Sequence, residues 1–332
     1  MPKTLVKGLT LGLMMLVSFG ATAAVADTLR DVRRAGFVRC GIETMPGFAY
    51  QDRQGQWRGF DVAVCRAIAV AALGRADRVR FSDISQERGM RALQDERLDV
   101  IARAPQTLLG QISSDTLIAG ISYHDGVGIM VPKVLGIQSL GELSGARVCV
   151  LDTVHTLMAH RAAAQGLNFR VTRLDSPEDV RDHYEREQCD AAIAPISTLA
   201  AVRTTMDAGQ HEILPTSFGR FPTGPLVRAG DARWLNVVSG SLDAMVWLEE
   251  NGFDRDDKDR DKRLSQTIRL QTGATGKALG LSEYWVDKIR QQVGDYGDVF
   301  EDTVGRRSAL KLRRGLNALW FKDGLQNAPP ME

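Results

Sequence analysis

The 332-residue chain has almost no net charge: 42 basic against 41 acidic residues leave a formal +1. That balance excludes the basic bias of a nucleic-acid binder. Histidine is scarce, with five residues and none at ligand spacing, and no two of the four cysteines form a close C-x-x-C pair. A metal site therefore has no support, and neither a metal nor a cofactor is expected. No nucleophile elbow, zinc-binding helix or glycine-rich phosphate loop occurs, so the motif-borne catalytic classes are unsupported as well. After residue 19 no segment is apolar enough to cross a membrane.

What apolar run there is lies at the start. Lys3 and Lys7 precede an apolar stretch over residues 9–19, and Ala24-Val25-Ala26 supplies a small-residue cleavage site. Residues 1–26 are expected to be a secretory signal peptide, the stretch being shorter than the ~20 residues a spanning helix needs. The remaining 306 residues suffice for two lobes of ordinary size. In an exported chain, Cys40, Cys65, Cys149 and Cys189 are expected to form two disulfides, with three connectivities open.

The richest stretch is residues 37–74. Phe37, Val38, Cys40 and Ile42 read as a strand ending in a Pro-Gly turn. Phe60, Val64, Ala67, Ile68 and Ala71 recur at helical spacing, with Asp61 as the expected N-cap. The loop between them carries Phe48, Tyr50 and Trp57. A strand end feeding a loop and then a helix start is where open α/β sheets bind ligands.

Further along, strands are expected at 79–81 and 98–101 around a helix at 87–96. A second unit follows, with strands at 147–150, 169–174 and 191–194 and helices at 153–165 and 177–187. Ser176-Pro177-Glu178-Asp179 is a strong helix start: cap, proline at the first position, acids in the first turn. Such alternation predicts an α/β fold with parallel sheets. Residues 118–123 and 127–131 look like crossing strands between the units, with a return near 213–219. A helix is expected over 232–250, a solvated charged run over 254–263, and two tail helices over 282–293 and 309–321. Trp285, Ile289, Leu316, Leu319 and Trp320 read as core-facing anchors.

Cys40-Gly41, Pro46-Gly47-Phe48, Gly59-Phe60-Asp61-Val62 and Cys65-Arg66-Ala67, with Tyr296-Gly297 and the run from Gly315 to Trp320, carry a resemblance. They resemble the periplasmic general L-amino-acid-binding proteins of ABC transporters, within bacterial extracellular solute-binding protein family 3. The resemblance implies a two-lobed, type 2 periplasmic-binding fold whose parallel-sheet lobes are joined by two crossover strands. With the crossings read above, one lobe is expected at 27–122, the other at 123–214, a return at 215–270, and a helical extension packed on the first lobe at 271–332. The resemblance also implies disulfides 40–65 and 149–189, a periplasmic location, a monomer, an inner-membrane permease as partner, and a small polar solute related to amino acids.

A free amino acid in a cleft needs its carboxylate met by an arginine fork or N–H groups and its ammonium by a carboxylate. The family supplies these from three places, and this chain departs at each. No arginine occurs between Arg103 and Arg147, and Gly110 or Gln111 stands where the fork belongs. Leu151-Asp152-Thr153-Val154-His155 puts an acid at the second place, and Pro195 replaces the ammonium-binding aspartate at the third. Each buried charge left unpaired costs roughly 3–5 kcal/mol, about 10²- to 10³-fold in affinity. The zwitterion clamp is therefore expected to be absent. Phe48 and Tyr50 are expected to wall the site, Arg103 to meet an anion, and Thr107, Gln111, Asp152, Thr153 and His155 to give polar contacts. Asp152 and Glu43 together suit a cation better than an acid. A sensor or partner-binding protein on the same fold is the alternative, and a dehydratase-like enzyme a second.

Overall fold

A computed structural model describes residues 27–106, 115–215, 217–253, 255 and 261–332. The expected signal peptide, Thr107, Gln111 and most of the charged run lie outside them.

The chain opens with α1 (Thr28–Ala35) and β1 (Val38–Ile42), then a small hairpin of β2 (Tyr50–Gln51) and β3 (Trp57–Arg58), and α2 (Phe60–Leu73). Strand β4 (Val79–Asp83), α3 (Gln86–Gln94) and β5 (Val100–Pro105) complete the first unit. Strand β1 lies between β4 and β5, parallel to both. Its residues are almost wholly buried, as a central parallel strand covered on both faces must be.

After β6 (Thr116–Ile118) the long β7 (Tyr123–Pro132) leads into the second unit. That unit comprises β8 (Arg147–Leu151), α4 (Asp152–Ala164), β9 (Arg170–Leu174), α5 (Pro177–Glu185), β10 (Ala191–Pro195) and α6 (Ile196–Thr204). Strand β8 runs parallel to both β9 and β10. The short β11 (His211–Ile213) borders β7, and β12 (Gly219–Arg228) returns.

Strands β7 and β12 are the joint. Residues 219–223 of β12 pair antiparallel with β7, and the same strand then pairs with β5 through residues 223–226. Thr223 thus faces both Tyr123 and Pro105. The order β4-β1-β5-β12-β7-β10-β8-β9 follows. A Cβ at Gly224 would overlap the carbonyl oxygen of Gly120, so the two crossing backbones meet at a position only glycine fits. The return therefore lies later than residues 213–219. The strongly β-prone Ile213 instead closes a short edge strand.

The first half's core holds α2 and α7 (Ala232–Glu250), with Phe48, Phe60, Trp234 and Trp285 fully buried. The second half's core is separate, built on Val148, Val150, Ile193, Val154 and Phe218. Each core is stapled once, by Cys40–Cys65 and Cys149–Cys189. This is the pairing that the resemblance implies.

Three helices follow: α8 (Asp261–Leu279), α9 (Trp285–Gln292) and α10 (Tyr296–Thr303). The expected helix over 309–321 does not form. Lys311, Gly315 and Asp323 take left-handed φ of 54°, 47° and 61°, leaving only 3₁₀ turns at Gly315–Asn317 and Trp320–Lys322. Leu319 is buried as expected, but Trp320 is 63% exposed. The tail instead acts through hydrogen bonds. The Asn317 side chain accepts from the His124 N–H at 2.7 Å and donates to the His124 carbonyl at 3.0 Å. The Tyr296 hydroxyl donates to the Ser122 carbonyl at 2.9 Å.

Candidate functional site

A cleft of about 210 Å³ opens at the C-terminal ends of β1, β5, β8, β9 and β10, where strands of both halves point toward one another. Open α/β sheets place ligands at such a reversal of strand order. Glu43 and Met45 enter from the loop after β1, Asp61 from the first turn of α2, and Arg103 from the end of β5. From the other side come Thr153, Asp175, Glu178, Arg181, Pro195 and Thr198. The crossing strands contribute Asp125, Phe221 and Thr223.

Asp61 is not the helix cap. Gly59, with φ 121° and no room for a Cβ beside the Phe48 carbonyl, holds that position and turns Asp61 inward. There Asp61 Oδ2 lies 3.1 Å from Arg103 Nε, with the two side chains 3% and 16% exposed. Oδ1 has no hydrogen-bond partner among the described residues. Burial pushes the Asp61 carboxyl up, and Arg103 pulls it back down. The same guanidinium lies 4.2 Å over the Phe48 ring and 3.6 Å from Met45 Sδ.

Asp125 is also fully enclosed, but it is satisfied. Its Oδ2 accepts from Ser197 Oγ at 2.5 Å, and Oδ1 accepts from the Gly126 N–H at 2.8 Å and the Ser197 N–H at 3.2 Å. Burial raises its carboxyl against those donors. Glu43 is open to the cleft, yet protein on both sides withdraws enough solvent to raise its carboxyl. Arg103 opposes that rise, while Asp61, Asp83 and Glu178 add to it.

Of the residues singled out in the sequence as site candidates, Glu43, Arg103 and Thr153 line this cleft. Phe48 is fully buried beneath Arg103 and supports the cleft without facing it. Tyr50 sits 40% exposed on the β2–β3 hairpin. Asp152 pairs with Arg173 through Oδ1, and neither Asp152 nor His155 is among the lining residues. Asp125, Asp175 and Glu178 are not among the site residues expected from the sequence, yet all three line the cleft. Asp175 and Glu178 could have been found, because they follow the end of β9 and open α5, the same strand-loop-helix arrangement that drew attention to residues 37–74.

Residues 38–247 match the model of bacterial extracellular solute-binding proteins, family 3. The chain is 35% identical over 330 residues to the general L-amino acid-binding periplasmic protein AapJ of Rhizobium johnstonii, covering 95% of this chain and 96% of that one. It is 34% identical over 332 residues to the glutamate/glutamine/aspartate/asparagine-binding protein BztA of Rhodobacter capsulatus, covering 96% and 97%. Among solved structures, an ABC transporter periplasmic binding protein from Brucella ovis with glutathione bound superposes with a TM-score of 0.85. Its identity is 36%, over 92% of this chain and all of that one. With the two-unit sheet and its interposed cleft, these likenesses settle the lineage: the chain belongs to family 3 of the bacterial extracellular solute-binding proteins.

Proposed function

We propose that this protein is a periplasmic solute-binding component that closes two lobes on a small polar solute and presents it to an inner-membrane ABC permease. One observation carries the reading: a cleft walled by strand ends from two separately packed halves, joined by the crossing strands β7 and β12. Residues 27–122, with the chain from the return in β12 to residue 270, form the first lobe, residues from 123 to the start of β12 the second, and 271–332 an extension packed on the first. Residues 1–26 are removed on export, and the mature protein acts as a monomer. Closure of such a pair shifts a population between two states, and the solute supplies the difference in affinity.

Relatives named for amino acids and a neighbour holding glutathione support a solute of that general kind. The cleft itself argues against the ordinary zwitterion clamp. Arg103 is already engaged by Asp61, and Pro195 and Leu151 line the places where ionic contacts belong. The role is binding rather than turnover, in keeping with a family and relatives named as binding proteins. Calorimetric titration with ordinary amino acids, alongside small-angle scattering to read closure, tests both parts. Micromolar binding of several neutral or acidic amino acids would refute the lost clamp, and a protein that never closes would refute the function.

A further inference from the structure

The charges around the cleft are lopsided. Five carboxylates line it (Glu43, Asp61, Asp125, Asp175 and Glu178) against the guanidiniums of Arg103 and Arg181. Both guanidiniums are already engaged, Arg103 with Asp61 and Arg181 with Asp182 and Glu185. Three of the acids, by contrast, have no hydrogen bond or ion pair among the described residues: Glu43 on one wall, Asp175 and Glu178 on the other. Residues 107–114 cannot correct the imbalance wherever they lie, because Thr-Leu-Leu-Gly-Gln-Ile-Ser-Ser carries no charge.

A second observation lies deeper in the cleft. Asp61, 2% exposed and lining the cavity, keeps Oδ1 without a donor among the described residues. A buried carboxylate oxygen without a donor is costly, and a ligand N–H is the chemistry that would satisfy it. An anionic solute finds the opposite situation, with several carboxylates to approach and no uncommitted cation among the described lining residues.

We infer that the solute is an organic cation, bearing a primary amine or guanidine, gripped between Glu43 and the Asp175–Glu178 pair and donating toward Asp61 Oδ1. The inference rests on the solute-binding reading above and names the chemical class that site takes. It also gives the cleft a closing rule. Bringing the two walls together without a cation sets like charges face to face, so the ligand's positive charge stabilises the closed form selectively.

The test is calorimetry on the mature protein with agmatine, putrescine and L-arginine, set against L-glutamate, L-glutamine and glutathione, with closure followed by small-angle scattering. At least one cationic probe is expected to bind and close the protein. Its affinity should fall about tenfold or more in Glu178→Gln and in Glu43→Gln, and should weaken as salt rises. Asp77→Asn, an exposed carboxylate paired with Arg75, should leave the affinity unchanged. Both cleft variants replace solvent-exposed groups, so thermal melts should match the parent. Tighter binding of glutamate, glutamine or glutathione than of every cation would overturn the cationic assignment and leave solute binding standing. Cation binding indifferent to both glutamine substitutions would overturn the assigned grip. No closure with any of the six probes would overturn both readings.

Discussion

Arg103 and Asp61 meet at 3.1 Å at the base of the cleft, and the pair fastens the end of β5 to the first turn of α2. Neither residue has another charged partner at ion-pairing distance among the described residues. Arg103→Ala would leave the enclosed Asp61 uncompensated, at a cost of about 3–5 kcal/mol at pH 7.5. The loss should shrink as pH falls and the Asp61 carboxyl takes up a proton. Adding Asp61→Asn to the alanine variant should restore most of the stability. Urea unfolding of the single and double variants measures this directly.

Asp243, on α7, is half-buried and has no hydrogen-bonding or ionic partner among the described residues, and burial pushes its carboxyl up to about 6 from 3.8. The folded state therefore binds a proton more tightly than the unfolded chain. Stability from this group is greatest below about pH 4, declines as pH rises toward 6, and stays low above it. Asp243→Asn should accordingly stabilise the protein by about 1–3 kcal/mol at pH 7.5 and change little at pH 3.5. Equal effects at the two pH values would contradict this account.

The disulfides close loops of 25 and 40 residues, each within one half's core. Loop-closure arguments give about 3–4 kcal/mol for rings of that size. Paired Cys→Ala replacement at 149 and 189 should lower stability by about that much and weaken the second half first. Hydrogen exchange would show early exposure of β8 and β10, with β1 and β5 still protected.

Gly224→Ala tests the crossing. The added methyl would overlap the Gly120 carbonyl oxygen, and backbone cannot yield as a flexible side chain can. A loss of more than about 2 kcal/mol is expected, typical of the larger single-site effects. A Gly55→Ala control meets nothing within 4 Å, although its φ of 72° carries a modest strain of its own. Thermal melts of the two variants give the comparison.

The repeated units were readable because their signals are local. Apolar spacing gave α2, and Ser176-Pro177 gave the start of α5, where Ser176 Oγ does accept from the Asp179 N–H. The tail was misread for the opposite reason. Leu312, Leu316 and Leu319 keep helical spacing, but non-helical contacts within the tail claim the backbone. Arg314 donates to the Asn317 carbonyl, and Leu319 pairs with Gln326. The cleft was half legible for a similar reason. Asp61 and Glu178 sit at helix starts, where acids are favoured by local electrostatics alone. Only the meeting of two distant strand ends brings them onto one cleft, and no short window of sequence contains that meeting.

The two-point grip of Asn317 on the His124 peptide makes the tail a splint for β7, where the chain passes between the halves. Any swing about that passage must either carry the tail with it or break those bonds. If the halves close as proposed above, the last forty residues would set how stiff that pivot is and how readily the protein opens.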